Sequence, residues 1–170
     1  VDVHGNWQEG QPPTYEMKIA AMLENFEKRG RELVKTVYRD NGNWIKEKVG
    51  KETRTTVNSK MQEKKELAKR RGYPITLDYA SQFLNSTDFG TLIDIIFRNK
   101  KDFAKALNDT DLTEISNWLL NIKRIRDPRS HADETFPVDQ NAYNKAKFFV
   151  SSALDVIDAF MKNHSSSSSS

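Results

Sequence analysis

Four separate stretches of this chain return an apolar residue every three or four positions, and no stretch alternates apolar with polar residues long enough to demand a strand. Ile19, Met22, Leu23, Phe26, Leu33, Val34 and Val37 keep that period, as do Phe89, Leu92, Ile93, Ile96 and Phe97. Leu112, Ile115, Leu119 and Ile122 follow it, and Ala142, Ala146, Phe149, Ala153, Val156, Ile157 and Phe160 form the longest clean run. Such a spacing gathers side chains on one face of an α-helix, which turns once in about 3.6 residues. The pattern predicts an all-α protein, a helical bundle whose apolar stripes meet in the middle. At 170 residues and 36% hydrophobic, the chain is long enough for one compact core and too short to favour two.

The punctuation between these stretches divides the rest. Residues 1–13, rich in Gly, Gln and Pro, read as an irregular lead-in or linker; residues 14–163 read as one helical domain, and residues 164–170 as a flexible Ser-rich tail. The first helix is expected to start at Pro13 or Thr14 and to run across Gly30 to about Tyr38. Asp40 to Asn43 make a turn, after which Trp44, Ile45 and Val49 dock a short helical turn. Gly72, Tyr73 and Pro74 close a helix that begins at Lys51. Thr76 is expected to cap a short helix through Leu84, Ser86 or Thr87 the next, and Asp109 or Thr110 the one that carries Glu114 in its first turn. Between them, a short helix over 101–107 turns Phe103 and Leu107 inward.

Composition narrows the chemistry. With no cysteine and only His4, His131 and His164, disulfides, thiolate metal sites and a His-based metal cluster are all disfavoured, so neither metal nor cofactor is expected. No apolar run approaches the length of a membrane span and no leader pattern opens the chain, which points to a soluble, cytoplasmic protein. The net charge is only +3, yet Lys51, Arg54, Lys60, Lys64, Lys65, Lys69, Arg70 and Arg71 crowd one segment against Glu52, Glu63 and Glu66. That segment is either a solvated helix face or an arm that contacts phosphates and gains affinity by releasing counterions. It contains no aromatic residue, so contact there would be to nucleic-acid backbone, through Lys64, Lys65, Arg70 and Arg71.

A different cluster carries more specific chemistry. Four residues beyond Ile122, the stripe of the third stretch ends on Arg126, whose guanidinium must snorkel away from the packed face or meet an anion in a seam. Pro128 disfavours helical geometry at Asp127, so a break is expected there, with Arg129, Ser130 and His131 just beyond it. Metal-free RNA cleavage needs a base for the 2′-hydroxyl, an acid for the leaving 5′-oxygen and a cation for the phosphate charge. Histidine suits the first two because it titrates near neutrality, and arginine suits the third through its fixed fork of donors. Each residue also has a plainer role open to it: His131 as a loop plug, Arg126 as a partner of Asp127, Asp133 or Glu134, and Asp127 as a turn former before proline. Trp118 and the phenylalanines read as core.

Arg126, four intervening residues and His131 resemble the Arg-x(4 to 6)-His signature of the HEPN superfamily (higher eukaryotes and prokaryotes nucleotide-binding), all-helical domains many of which are RNA endonucleases. Arg124 also lies within the permitted spacing, but the family usually follows its arginine with Asn, Asp or His, and Asp127 fits Arg126. The order of elements extends the resemblance over about 76–162: a DFGTLIDII helix, a short helix with Phe103, the Arg/His helix end and a long final helix. It is closest to the small C-terminal HEPN modules fused to larger proteins, while the first 70 residues match less specifically. The chain departs from the family by holding Asp127 where Asn is commoner, which adds a negative charge beside the phosphate site.

The resemblance implies a metal-independent endoribonuclease in which two copies of the motif face one another across a homodimer. Two His131 side chains then share the base and acid roles over one phosphate, each with its Arg126, leaving a 2′,3′-cyclic phosphate and a 5′-hydroxyl. Asp127 would orient His131, Ser130 would hydrogen-bond phosphate, and Arg124 and Arg129 would supply the flanking positive field. The resemblance also implies work within a toxin or antiviral defence protein, or with a larger regulatory one. A catalytically silent HEPN module for dimerisation or RNA binding, and an unrelated helical interaction domain, are the competing readings.

Overall fold

The computed structural model describes residues 14–39, 42–108, 111–126 and 140–168, with side chains except at 112, 122–126 and 165–168. Within these residues the chain forms eight α-helices and no strand. They are α1 (Tyr15–Val37), α2 (Trp44–Lys48), α3 (Lys51–Arg70), α4 (Tyr79–Asn85), α5 (Phe89–Arg98), α6 (Lys100–Ala106), α7 (Leu112–Arg126) and α8 (Gln140–Ser168).

The first helix starts where Thr14 turns the chain inward, its Oγ1 accepting from the Met17 amide at 3.2 Å. That hydrogen bond satisfies one of the amides a helix start leaves without a partner. The inward stripe of α1 is Ile19, Leu23, Phe26, Leu33 and Val34, and the helix lies mainly along α8. Lys18 helps join them, its ammonium 5.6 Å from the ring centre of Tyr15 and 5.4 Å from that of Tyr143, while Arg29 reaches Asp158 at 3.1 Å. Gly30 serves as the close approach to α5: a Cβ there would stand 3.2 Å from Cδ2 of the fully buried Leu92.

One contiguous cluster of buried side chains runs through the bundle. From α5 it takes Phe89, Leu92, Ile93, Ile95 and Ile96; from α7, Ile115, Trp118 and Leu119; from α8, Ala146, Val150, Ala153, Ile157 and Phe160. Trp44 and Ile45 bring α2 into it, with Tyr38 stacked on Trp44 at 5.1 Å between ring centres. Phe103 and Leu107 close it from below α6, as their spacing predicted.

Several details differ from the sequence expectation. The cap of α4 is Asp78, not Thr76, and the cap of α5 is Asp88, not Ser86 or Thr87. In both cases a carboxylate accepts the amide three residues on at 2.7 Å, and charge makes it the stronger acceptor. Ser86 instead closes α4, while the Thr87 hydroxyl donates to the Leu84 carbonyl at 2.6 Å. Asp109 and Thr110 lie outside the described residues, but Asp111 accepts the Thr113 amide at 2.7 Å at the start of α7. Phe97 is exposed on α5, with the Lys100 ammonium 5.0 Å from its ring centre, and Ile95 is buried in its stead. On α8, Ala142 is exposed and Val150 occupies the core, a shift within the same helical stripe. The helix continues to Ser168, beyond the limit drawn at 163; serine propagates an existing helix at modest cost.

Arg31 ties the two halves of the chain. From α1 its Nε donates to the Leu84 carbonyl at 2.8 Å, and one terminal nitrogen donates to the Thr87 carbonyl and to Glu27, both at 2.7 Å. The turn between α4 and α5 is thereby held against the first helix.

Candidate nucleic-acid site

Of the stripe that leads to the proposed chemistry, Ile115 and Leu119 are anchored as expected, while the side chains of Leu112 and Ile122 lie outside the described residues. Ile115 and Leu119 are buried, Trp118 is a core residue beside them, and α7 packs chiefly on α8, α5 and α6. Its backbone is helical through Arg126, and the break expected at Asp127 before Pro128 lies outside the described residues. Arg124 and Arg126 therefore lie on the last turn of α7. Their side chains, and all of Asp127, Arg129, Ser130 and His131, fall outside what the structure describes.

A small cavity of about 30 Å³ lies between α1, α5, α6, α7 and α8, walled by apolar side chains including Phe26, Phe103, Trp118 and Ile157. It has room for about a water molecule and offers no polar group, so it is a packing gap, not a nucleotide pocket. Among the described residues no three His, Cys, Asp or Glu side chains gather as a metal site would require.

Ionisable groups with displaced pKa values lie elsewhere. Burial, then the hydrogen bond to Asp102, pushes the Tyr38 phenol far above its ordinary range. The phenol donates to Asp102 at 2.5 Å, Lys48 meets the same carboxylate at 3.0 Å, and these contacts hold Asp102 below the usual carboxylate value, the Tyr38 bond foremost. This trio joins α1's end, α2 and α6, a structural clasp in which the charged carboxylate is fully answered. At Asp78 hydrogen bonds from Ser81 lower the carboxyl, as capping does.

The basic segment became α3, and it is docked as thinly as its composition suggested. Only Val57 and Met61 are buried, and its packing partners are chiefly α2 and α4. Of the cations singled out from sequence, Lys64 donates to the Asn85 carbonyl at 2.7 Å, and Lys60 stands 3.9 Å from Asp88. Lys65, Lys69, Arg70 and Arg71 are exposed, and among the described residues no carboxylate comes within ion-pair distance of them.

The helix closes in a Schellman turn. Gly72 takes a φ of +78°, its amide donates to the Lys69 carbonyl at 3.1 Å, and the Tyr73 amide donates to Ala68 at 2.9 Å. The residue after such a glycine commonly packs back on the helix. Tyr73 instead keeps 80% of its surface exposed. Sequence reasoning treated it only as part of the stop signal; its place directly after Arg70, Arg71 and the glycine was the available hint.

No helix among the described residues is long and apolar enough to cross a membrane. Comparison with protein families, curated proteins and solved structures finds no match to this chain.

Proposed function

We propose that the chain is a HEPN-type, metal-independent endoribonuclease domain whose Arg126/His131 site is completed across a homodimer. The observation that supports this most is that α7, packed on α5, α6 and α8 through Ile115, Trp118 and Leu119, carries Arg124 and Arg126 at its far end from those anchors. Lys123, Arg124 and Arg126 put three cations within four residues of sequence just before His131. The order of α5, α6, α7 and α8 agrees with the resemblance that suggested the reading. Leu120 on α7 and Phe148 on α8, 47% and 67% exposed, are apolar surface of the kind a two-fold contact would cover.

In the reaction, His131 of one protomer takes the 2′-hydroxyl proton, and the 2′-oxygen attacks the adjacent phosphorus. The bond from phosphorus to the 5′-oxygen breaks, and His131 of the partner subunit protonates that oxygen. Arg126 neutralises the non-bridging oxygens as charge collects on them. Asp127 orients the imidazole, Ser130 donates to phosphate, and Arg124 and Arg129 add to the local field. Lys65, Arg70 and Arg71 hold RNA backbone at a second place, while Lys64 stays on the Asn85 carbonyl, and the domain serves a larger toxin or defence protein.

The test is incubation of the purified chain with total RNA in EDTA, comparing the unmodified protein with His131→Ala and Arg126→Ala. Cleavage that survives the chelator and falls about 10²–10⁴-fold on loss of the imidazole supports the reading. RNA binding without cleavage, insensitive to both changes, would instead establish the silent module.

A further inference from the structure

We propose that Tyr73 is a stacking platform for a base of single-stranded RNA whose phosphates are held by Lys65, Lys69, Arg70 and Arg71. This rests on RNA being the ligand and adds a contact surface separate from the end of α7. The folded chain gives the tyrosine ring no packing role: it is 80% exposed although its backbone is fixed by the Schellman turn. An aromatic ring presented on a fixed backbone loses little freedom on binding, which favours a ligand with a flat face.

Its neighbours select the ligand's charge. Lys65 and Lys69 lie one turn apart on the same face of α3, Arg70 is its last residue and Arg71 its C-cap, two positions before the tyrosine. One or two cations would offset the helix dipole, but these four also outnumber Glu63 and Glu66 on the same stretch, which leaves a positive surplus on an exposed surface. Lys60 and Lys64 face the turn between α4 and α5 and are engaged there, so the free set ends at Tyr73. A bilayer is the weaker match. On α3, Val57 and Met61 are buried in docking the helix, so Leu67, Tyr73 and Leu77 are scattered exposed apolar residues and not the continuous apolar helix face that interfacial insertion uses.

Stacking is tolerant of base identity, because every base offers a π-face, and it requires unpaired bases. The site is therefore expected to prefer single strands over duplexes and to show little sequence preference.

The experiment measures binding of a fluorescein-labelled, unstructured 15-nucleotide RNA by anisotropy, using the full chain with His131→Ala to prevent turnover. Tyr73→Ala is expected to weaken binding about fivefold to a hundredfold, with Tyr73→Phe and Tyr73→Trp retaining it. Lys69→Ala and Arg70→Ala should each flatten the dependence of log affinity on log salt by about 0.7. Equal affinity for Tyr73→Ala and Tyr73→Phe overturns the stacking proposal while leaving RNA binding intact. Equal affinity for a duplex of the same sequence overturns it as well. Absence of RNA binding by every form overturns both this and the RNA reading; tight binding to phosphatidylserine vesicles in that case would transfer the surface to a membrane.

Discussion

Replacing Arg31 by alanine tests whether the first helix and the α4–α5 turn form one cooperative unit. The guanidinium is 22% exposed and donates to two backbone carbonyls, those of Leu84 and Thr87, besides pairing with Glu27. A hydrogen bond from a charged donor contributes about 1.5–3 kcal/mol, and a buried acceptor left without its donor adds a desolvation cost. The Leu84 oxygen keeps the Thr87 hydroxyl, so only part of its bonding is lost. The Glu27 pair is a largely covered i, i+4 contact, its side chains 22% and 24% exposed, and contributes about half a kcal/mol. Together these predict that Arg31→Ala destabilises by roughly 2–4 kcal/mol, or about 4–15 °C in Tm for a chain of this size. Arg31→Lys should recover less than half, because an ammonium cannot reproduce the fork that spans both carbonyls. Urea unfolding followed by circular dichroism at 222 nm measures both. A loss under 0.5 kcal/mol for the alanine variant, or a separate early transition in its unfolding, would refute the reasoning.

Two further predictions concern charge and capping. Since contact with Tyr38 and Lys48 lowers the Asp102 pKa, that carboxylate stabilises the fold above its unfolded pKa and the contribution fades as pH falls through the folded value. Tyr38→Phe should therefore reduce stability at pH 7 by about 1 kcal/mol and make acid unfolding below pH ~4 less steep, read by urea midpoints across pH. Asp88→Ala removes the acceptor of the Thr91 amide at the start of α5 and should cost about 1 kcal/mol, with Asp88→Asn restoring most of it, by thermal unfolding.

The long periodic elements were legible because burial follows spacing: the stripes of α1, α5, α7 and α8 need no knowledge of what covers them. The caps were harder to read. Thr76 and Asp78, or Ser86, Thr87 and Asp88, are all good caps within a few residues of one another, and tertiary contacts separated them. Arg31 holds the carbonyls of Leu84 and Thr87, which fixes that turn and leaves Asp88 to start α5. Only the i, i+4 pair with Glu27 marks Arg31 locally, since the carbonyls it holds are 53 and 56 residues away. The exchange of Phe97 for Ile95 has a similar origin. Both fit a wide apolar face, and the neighbours decide which edge is solvated. At the candidate site, the stripe foretold that Ile115 and Leu119 would anchor α7. The exposure of Tyr73 was only hinted at by its place after Arg70, Arg71 and Gly72, because a residue after a helix-ending glycine commonly packs back on the helix.

The central claim is that the 2′-hydroxyl of RNA is the nucleophile, driven by His131 and Arg126 without metal. Its most direct test is a defined RNA of known cleavage position, incubated in EDTA beside the same strand carrying a single 2′-deoxy nucleotide there. The account predicts a 2′,3′-cyclic phosphate end from the first, no cut at that position in the second, and no cut in either with His131→Ala. Cleavage of the 2′-deoxy strand at the same rate, or undiminished cleavage by His131→Ala, would contradict it.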